Sequence, residues 1–406
     1  MEKLDEVWVG VDAGKGHHWA CAVDIAGNTL LSKKIINGES EILTGLSEIL
    51  SLPPKVNWVI DISSSPSSLL IALLVTHGQQ PRYITGTLVK QMSRALGSEN
   101  KTDANDAHVI ARTSIFAADR LSAIKVPVQV ISDLSLLTSH RTDLVRDRTR
   151  AYNRMRDTLT GVFPALERTF NFSAHKGAVV LLTGFQTPSG IRRMGRSRLA
   201  AWLAKRGVRL AHGVAESAIE AAEAQHTSLP GEDAAAEIVE DLAASILNLS
   251  ERIAKVEKRM DKILAEHPHS HILLSMPGMG KILAAELLVA AGDFSAYATE
   301  GKFASAAGMV PVSRDSGTRT GVHLRPKRYS RPLQRALFLS AQASCLHHVR
   351  DREYYLRKRA QGMRNSAAII CVARRQIRML WTLLEEDRTY QLEPPTAVSA
   401  SPAPPS

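Results

Sequence analysis

The sequence is poor in aromatic residues, in cysteine and in long apolar runs. Aromatics make up 5% of the 406 residues, which leaves few flat side chains for stacking on unpaired bases. The three cysteines, Cys21, Cys345 and Cys371, are far apart in apolar surroundings. They are too few for a disulfide scaffold or a zinc ribbon, and read as small core residues of a reducing compartment. The histidines of "HPHSHI", from His267 onward, have no cysteine or acid at metal-site spacing and read as a loop between helices. The longest apolar runs, such as "LLIALLV" (69–75), are too short to span a bilayer. The N-terminus, "MEKLDEVWVG", has acidic residues in place of a signal-peptide core. A soluble, cytoplasmic protein with no membrane partner is therefore expected.

What the chain has in excess is positive charge. Lys and Arg number 51 against 40 Asp and Glu, a formal net charge of +11, and a balance of that kind suits a polyanionic partner. Hydrophobic residues at 44% and charged residues at 22% are globular values, and the length predicts two or three domains.

The hydropathy pattern predicts how the chain is organised. "EVWVGVDAG" (6–14) alternates and reads as a strand ending at Asp12. "HWACAVDIAGN" (18–28) and "TLLSKKIIN" (29–37) continue it as an antiparallel meander. A helix over 40–50, a strand in "VNWVIDIS" (56–63) that stops near Asp61, a helix from Ser67 to Thr76 and a short strand in "PRYITG" (81–86) follow. Helices are then expected over 88–96 and from about Thr102 to Ala117. Three hairpin strands followed by alternating helix and strand is the order of a ribonuclease-H-like (RuvC-like) mixed sheet. In that layout the ends of the first and fourth strands lie side by side, at an edge where ligands of open α/β sheets gather.

Beyond this domain (1–130) the pattern is helical and basic. Arginines punctuate 133–160 and the stretch 191–211, and 212–233 reads as a loop with a short helix. In 235–266, Ile246, Leu249, Ile253, Val256, Met260 and Ile263 are spaced three and four apart, a heptad seam that predicts a long helix pairing in cis or in a dimer. Residues 131–270 thus form a helical, coiled-coil middle region. A mostly helical C-terminal domain (271–385) opens with "SMPGMGKILAAELLVAAGDF", a glycine turn onto a helix in the manner of a helix-hairpin-helix element. Gly278, Gly280 and Lys281 could hold a phosphate at that helix start, or the turn could simply join two packed helices. The run with Arg319, Arg325, Lys327, Arg328 and Arg331 suits a phosphate backbone. A disordered tail rich in Pro, Ala and Ser is expected over 386–406.

"KTDANDAHVIAR" (101–112) has the sharpest local signal. Asp103 and Asp106 share one face at a helix start, beside Lys101. The pair fits helix capping, with Thr102 or Asp103 as the N-cap, or a grip on a divalent cation, which would offset the repulsion between the two carboxylates. Asp12 and Asp61, each expected at a strand end under that helix, favour the cation. Four carboxylates at one edge, with two Mg²⁺ (or Mn²⁺), would form a phosphodiester-processing site.

The motifs "VGVDAGK", "WVIDIS", "KTDANDAHVIA", "MPGMGKILAAELL", "AAGMVP", "DSG" and "RPLQRALFLSA" occur in the order found in DEDD-type insertion-sequence transposases, the bridge-RNA-guided serine recombinases. The chain resembles that family from about residue 6 to residue 381. The resemblance implies that Asp12, Asp61, Asp103 and Asp106 bind metal and that Ser316 attacks a DNA phosphodiester to form a covalent phosphoserine link. It implies a structured guide RNA that pairs with donor and target double-stranded DNA. It implies a tetramer with a composite active site, the acidic domain of one subunit serving the serine of another. The heptad helix would fit subunit pairing in a dimer or tetramer. In one departure, the family more often has Glu where this chain has Asp61. Aspartate is a methylene shorter, so the metal would lie closer to the strand or be reached through water, with Glu99 a possible stand-in. Two other readings remain for the residues themselves: a RuvC-like junction nuclease that uses metal and water, and a nucleic-acid-binding protein with a degenerate catalytic fold.

Overall fold

The computed structural model describes residues 6–52, 55–62, 65–95, 102–124, 128–313, 323–324 and 326–392. Ser316, Arg319, Arg325, Lys101 and Glu99 lie outside the described residues. The chain forms two compact units, residues 1–127 and 128–406.

The first unit begins with the predicted meander, β1 (Val7–Ala13), β2 (His17–Val23) and β3 (Thr29–Ile36). Helix α1 (Glu39–Leu50), strand β4 (Val56–Ile60), helix α2 (Ser68–Thr76) and strand β5 (Arg82–Tyr83) follow. Helices α3 (Gly86–Ala95) and α4 (Asp103–Phe116) and a short strand β6 (Ser122–Ala123), which the pattern did not predict, complete it. The sheet order is β3-β2-β1-β4-β5-β6. The meander and the β5–β6 edge are antiparallel, and β1, β4 and β5 are parallel. This mixed six-stranded sheet is consistent with a ribonuclease-H-like α/β domain.

Side chains alternate between the faces of a strand, and the two faces of this sheet have separate cores. Val9, Val11, Trp58 and Ile60 pack with Ile42 and Leu46 of α1 and Leu70 and Leu74 of α2. Trp8 and Val59 pack on the opposite face with Ala107, Ile110 and Ala111 of α4. The sheet is therefore covered on both sides, which explains why β1 and β4 are apolar at nearly every position.

The second unit is mostly helical. It runs α5 (Gln129–Val162), α6 (Pro164–Thr169), α7 (Lys176–Leu181), α8 (Pro188–Met194), α9 (Arg196–Lys205), α10 (Ala211–Glu223) and α11 (Glu232–Ala265). Then come α12 (Ser270–Ser275), α13 (Lys281–Ala291), α14 (Glu300–Ala306), strands β7 (Val312–Ser313) and β8 (His323–Leu324), and α15 (Arg331–His347), α16 (Val349–Ala360) and α17 (Asn365–Glu385). Two expectations need correction. The basic stretch 191–211 is two helices, because Gly195 adopts φ +73° between them. Residues 212–233, expected to be a loop with a short helix, hold a longer one, the 13-residue α10, whose alanines at 211, 215, 218 and 222 are buried. Alanine both favours the helix and lets it pack closely, and a reading weighted toward Gly, Pro and acids misses it.

The heptad seam is filled within the chain. Helices α5 and α11, of 34 residues each, lie side by side. Arg141 Nε donates to Glu257 Oε1 at 2.7 Å, and Arg148 donates to the Ser250 hydroxyl at 3.4 Å. The partner number falls as the first rises, so the pair is antiparallel. Ile246 is buried in the same core as Ala151, Met155 and Leu159, and Met260 in the same core as Ile131 and Leu134. The predicted seam is real, and its partner is in cis. The first residues of the expected tail are tied down as well: the Tyr390 amide donates to Ser275 Oγ at 2.8 Å, and its hydroxyl meets His348 Nε2 at 3.0 Å. Among the described residues no helix is long and apolar enough to cross a membrane.

Candidate functional site

Strand register sets the first two carboxylates. In the parallel β1–β4 pair, Val11 faces Ile60, so the next step along both strands brings Asp12 and Asp61 together at their carboxyl ends. Parity then sets their direction. Asp12 shares a face with Trp8 and Gly10, and Asp61 shares one with Val59, so both point to the side covered by α4.

Gly10 brings that helix down onto the strand. A Cβ at this position would lie 2.3 Å from both the Ala107 carbonyl oxygen and the Ala111 nitrogen. Only glycine permits so close an approach, and it places the first turn of α4 over the strand ends. Thr102 is the N-cap, its hydroxyl accepting from the Asn105 amide at 3.2 Å. Capping is therefore met without the side chain of Asp103 or Asp106.

Asp12 feels the charge of the other three aspartates. Burial pushes the Asp12 pKa up to about 6, and the nearby charges of Asp61, Asp103 and Asp106 push in the same direction, with His17 opposing them. Burial also raises Asp61, against nearby backbone amides, and Asp106 adds to the rise. Asp61 Oδ1 is buried with no hydrogen-bond partner among the described residues. A buried acceptor normally has a partner, and a cation would serve as one. The donor set, all hard carboxylate oxygen, fits Mg²⁺ or Mn²⁺. Among the described residues, however, no three His, Cys, Asp or Glu side chains stand in a closed ligating arrangement. The carboxylates share a field without forming a finished cage.

His17 belongs to the site and was not anticipated. Its Nε2 lies 2.8 Å from Asp103 Oδ2. The hairpin turn from β1 into β2 carries it there. A histidine after a Gly-Lys-Gly turn has no distinctive spacing, so only the strand pairing reveals its role.

In the second unit, the glycine turn of 276–280 joins α12 to α13 as expected. Gly278 adopts φ +76°, and a Cβ there would sit 2.2 Å from the Ser340 carbonyl oxygen, so the absence of a side chain lets the turn pack against α15. Gly280 is the N-cap residue of α13 and faces open space. Lys281 pairs with Asp261 at 2.5 Å. Lys327 and Arg328 are exposed just before α15, and Arg331 opens that helix with its side chain exposed. The segment holding Ser316 is bracketed by β7 and β8, which pair antiparallel, Val312 with Leu324. A cavity of about 930 Å³, lined by Pro311, Leu324, Arg331 and Phe338 among others, opens beside those strands.

Comparison with known proteins identifies the family. A DEDD-type IS110 profile described as "Transposase" matches residues 9–164, and a profile described as "Transposase IS116/IS110/IS902 family" matches residues 270–356. The chain is 46% identical to the insertion element IS116 uncharacterized 44.8 kDa protein of Streptomyces clavuligerus, over 98% of this chain and 99% of that one. It is 39% identical to the insertion element IS900 uncharacterized 42 kDa protein of Mycobacterium paratuberculosis, over 97% and 99%. A transposase for insertion sequence element IS1328 of Yersinia enterocolitica is 24% identical over 82% of each chain.

Proposed function

Because the chain belongs to the IS110/IS116 family of insertion-element transposases, we propose that it cuts and rejoins DNA through the Ser316 hydroxyl, assisted by the acidic site and guided by a structured RNA. As a transposase it is an enzyme of DNA cleavage and strand exchange. The convergence of Asp12, Asp61, Asp103 and Asp106 under the first turn of α4 carries the reading.

DEDD transposases generally depend on divalent metal. Mg²⁺ or Mn²⁺ held by the four aspartates would supply positive charge to phosphodiester oxygens as charge develops on them. Asp12 and Asp61 are fixed by the strand register and Asp106 by α4. His17 orients the Asp103 carboxylate through its Oδ2 contact. Aspartate stands at 61 where the family more often has glutamate; a methylene shorter, it would hold an ion closer to the strand ends or reach it through water. In the cleavage step the Ser316 oxygen bonds to phosphorus, the bond to the leaving sugar oxygen breaks, and that oxygen takes up a proton. Attack by a sugar hydroxyl of the partner DNA reverses the step and restores the serine. The number of phosphodiester bonds is unchanged, so no high-energy cofactor is needed. Donor and target duplexes, the guide RNA, and assembly as a dimer or tetramer with an active site shared between subunits belong to the same reading. The family resemblance and the chain's +11 charge support them.

Trapping tests this directly. Wild-type protein with donor-end DNA should yield a denaturation-resistant covalent adduct that Ser316→Ala loses. If Ser316→Ala still cuts, the chain is a water-using nuclease instead. If Asp12→Asn and Asp106→Asn leave cutting unchanged, the acidic site has no catalytic part.

A further inference from the structure

Helix α16 is unlike the other long helices of the second unit. It is 12 residues long, and its one fully buried residue is Asp351. That carboxylate lies 3.3 Å from His348 Nδ1. The same inner side carries Tyr354, Tyr355 and Lys358. Tyr355 donates to Asn365 Oδ1 at 3.0 Å, and the guanidinium of Arg375 lies 4.4 Å from the Tyr354 ring centre. The rest of the helix faces outward.

At 3.6 residues per turn the outward residues sort into three rows. Arg350 and Arg357 lie seven apart on one edge, and Arg352 and Arg359 seven apart on the other. Between them run Val349 and Leu356, which are 68% and 53% exposed, with Glu353 and Ala360. A merely solvated helix would place its charges at the apex. Here the apex is largely apolar, and the cations border it.

The four arginines also lack carboxylate partners among the described residues. Several arginines elsewhere in the unit have such partners: Arg141 with Glu257, Arg156 with Glu167, Arg335 with Glu286, and Arg374 and Arg378 with Glu300.

We infer that α16 is a DNA-reading helix that enters the major groove of duplex DNA, with Arg350/Arg357 on one phosphate backbone, Arg352/Arg359 on the other, and Val349 and Leu356 against base edges. A helix about 10–12 Å across fits the B-form major groove, about 12 Å wide, and the arginines reach its two rims. Apolar side chains at the groove floor suit thymine methyl groups. The deep, narrow major groove of an A-form duplex would not admit this helix, so the partner is DNA rather than double-stranded RNA. The inference rests on the DNA-rejoining reading only in taking duplex DNA as substrate.

The test uses the full chain and fluorescence anisotropy across a salt series, with a B-form DNA duplex, an RNA duplex of the same sequence and anionic vesicles as probes. Arg350→Gln/Arg357→Gln should lower the slope of log K against log salt on DNA by roughly 2, about 0.9 per lost phosphate contact. Arg352→Gln/Arg359→Gln should do the same. Val349→Ser/Leu356→Ser should leave the slope unchanged and narrow the affinity differences among DNA sequences. All these positions are exposed, and unchanged circular dichroism verifies the fold. An unaltered DNA slope, a larger loss on the RNA duplex, or a loss confined to vesicles overturns the inference. Ser316→Ala separates the two claims: an adduct lost in Ser316→Ala with the slope unaltered in the α16 variants supports the chemistry alone, and a slope lowered in the α16 variants with the adduct retained in Ser316→Ala supports the helix alone.

Discussion

The two units handle like charge in opposite ways. In the first, carboxylates gather at the start of α4 with a single histidine in contact, and burial, with a smaller push from neighbouring carboxylates, raises the pKa values of Asp12 and Asp61. In the second, some arginines are paired with glutamates between helices, as Arg141, Arg156 and Arg335 are, and the four on the outward side of α16 have no carboxylate partner among the described residues. Paired charges hold helices together. Charges left in conflict, or left without a partner, mark where a ligand of opposite sign is expected. Raw counts of acids or bases do not make this distinction.

The sharpest test of the contrast removes a carboxylate from the crowded side. Asp106→Ala should lower DNA strand cleavage on the order of a thousandfold, as expected when several kcal/mol of charge stabilisation are lost, while calorimetry shows a folded protein that has lost Mn²⁺ binding. Gly10→Val attacks the same site through packing. It should destabilise the first unit by about 1–3 kcal/mol or more by forcing α4 off the sheet, read as a lower denaturant midpoint together with lost metal binding. On the paired side, Arg141→Ala should cost about 1 kcal/mol of stability and leave the salt slope of DNA binding unchanged, whereas α16 variants should behave in the reverse way.

The smallest effect concerns pH. The folded pKa of Asp12 lies near 6, above the ordinary aspartate range. As pH rises, the unfolded chain releases this proton first, so the metal-free folded state loses stability from about pH 4 to about pH 6 and has lost all of this contribution above that. Asp12 is partly exposed, so screening limits the effect to about 1 kcal/mol. Asp12→Asn should flatten the decline in thermal midpoint over this window. Saturating Mg²⁺ at pH 7 should restore stability to the wild type and give little to the variant.

Much of the first unit was legible in the sequence. Alternation placed β1 to β4, and the strand ends at Asp12 and Asp61 and the helix start at Thr102 could be read as neighbours. His17 could not, because its reach to Asp103 depends on the β1–β2 hairpin. Gly10 was equally silent, since its value is the absence of a side chain beneath a helix 100 residues away in the chain. In the second unit the heptad spacing of α11 was plain, but spacing gives no partner, and only Arg141 and Arg148 reveal α5. The open face of α16 reads in sequence as one more basic run. Its meaning depends on which cations have carboxylates beside them, a property of the folded chain.

The antiparallel embrace of α5 and α11 has a consequence for assembly. Ile246, Ile253 and Met260 of the seam are already buried within the chain, so that part of the zipper is closed to a second copy. Copies that join here must trade arms, one molecule's α11 lying down on its neighbour's α5. Copies that join elsewhere need an interface that the heptads do not reveal.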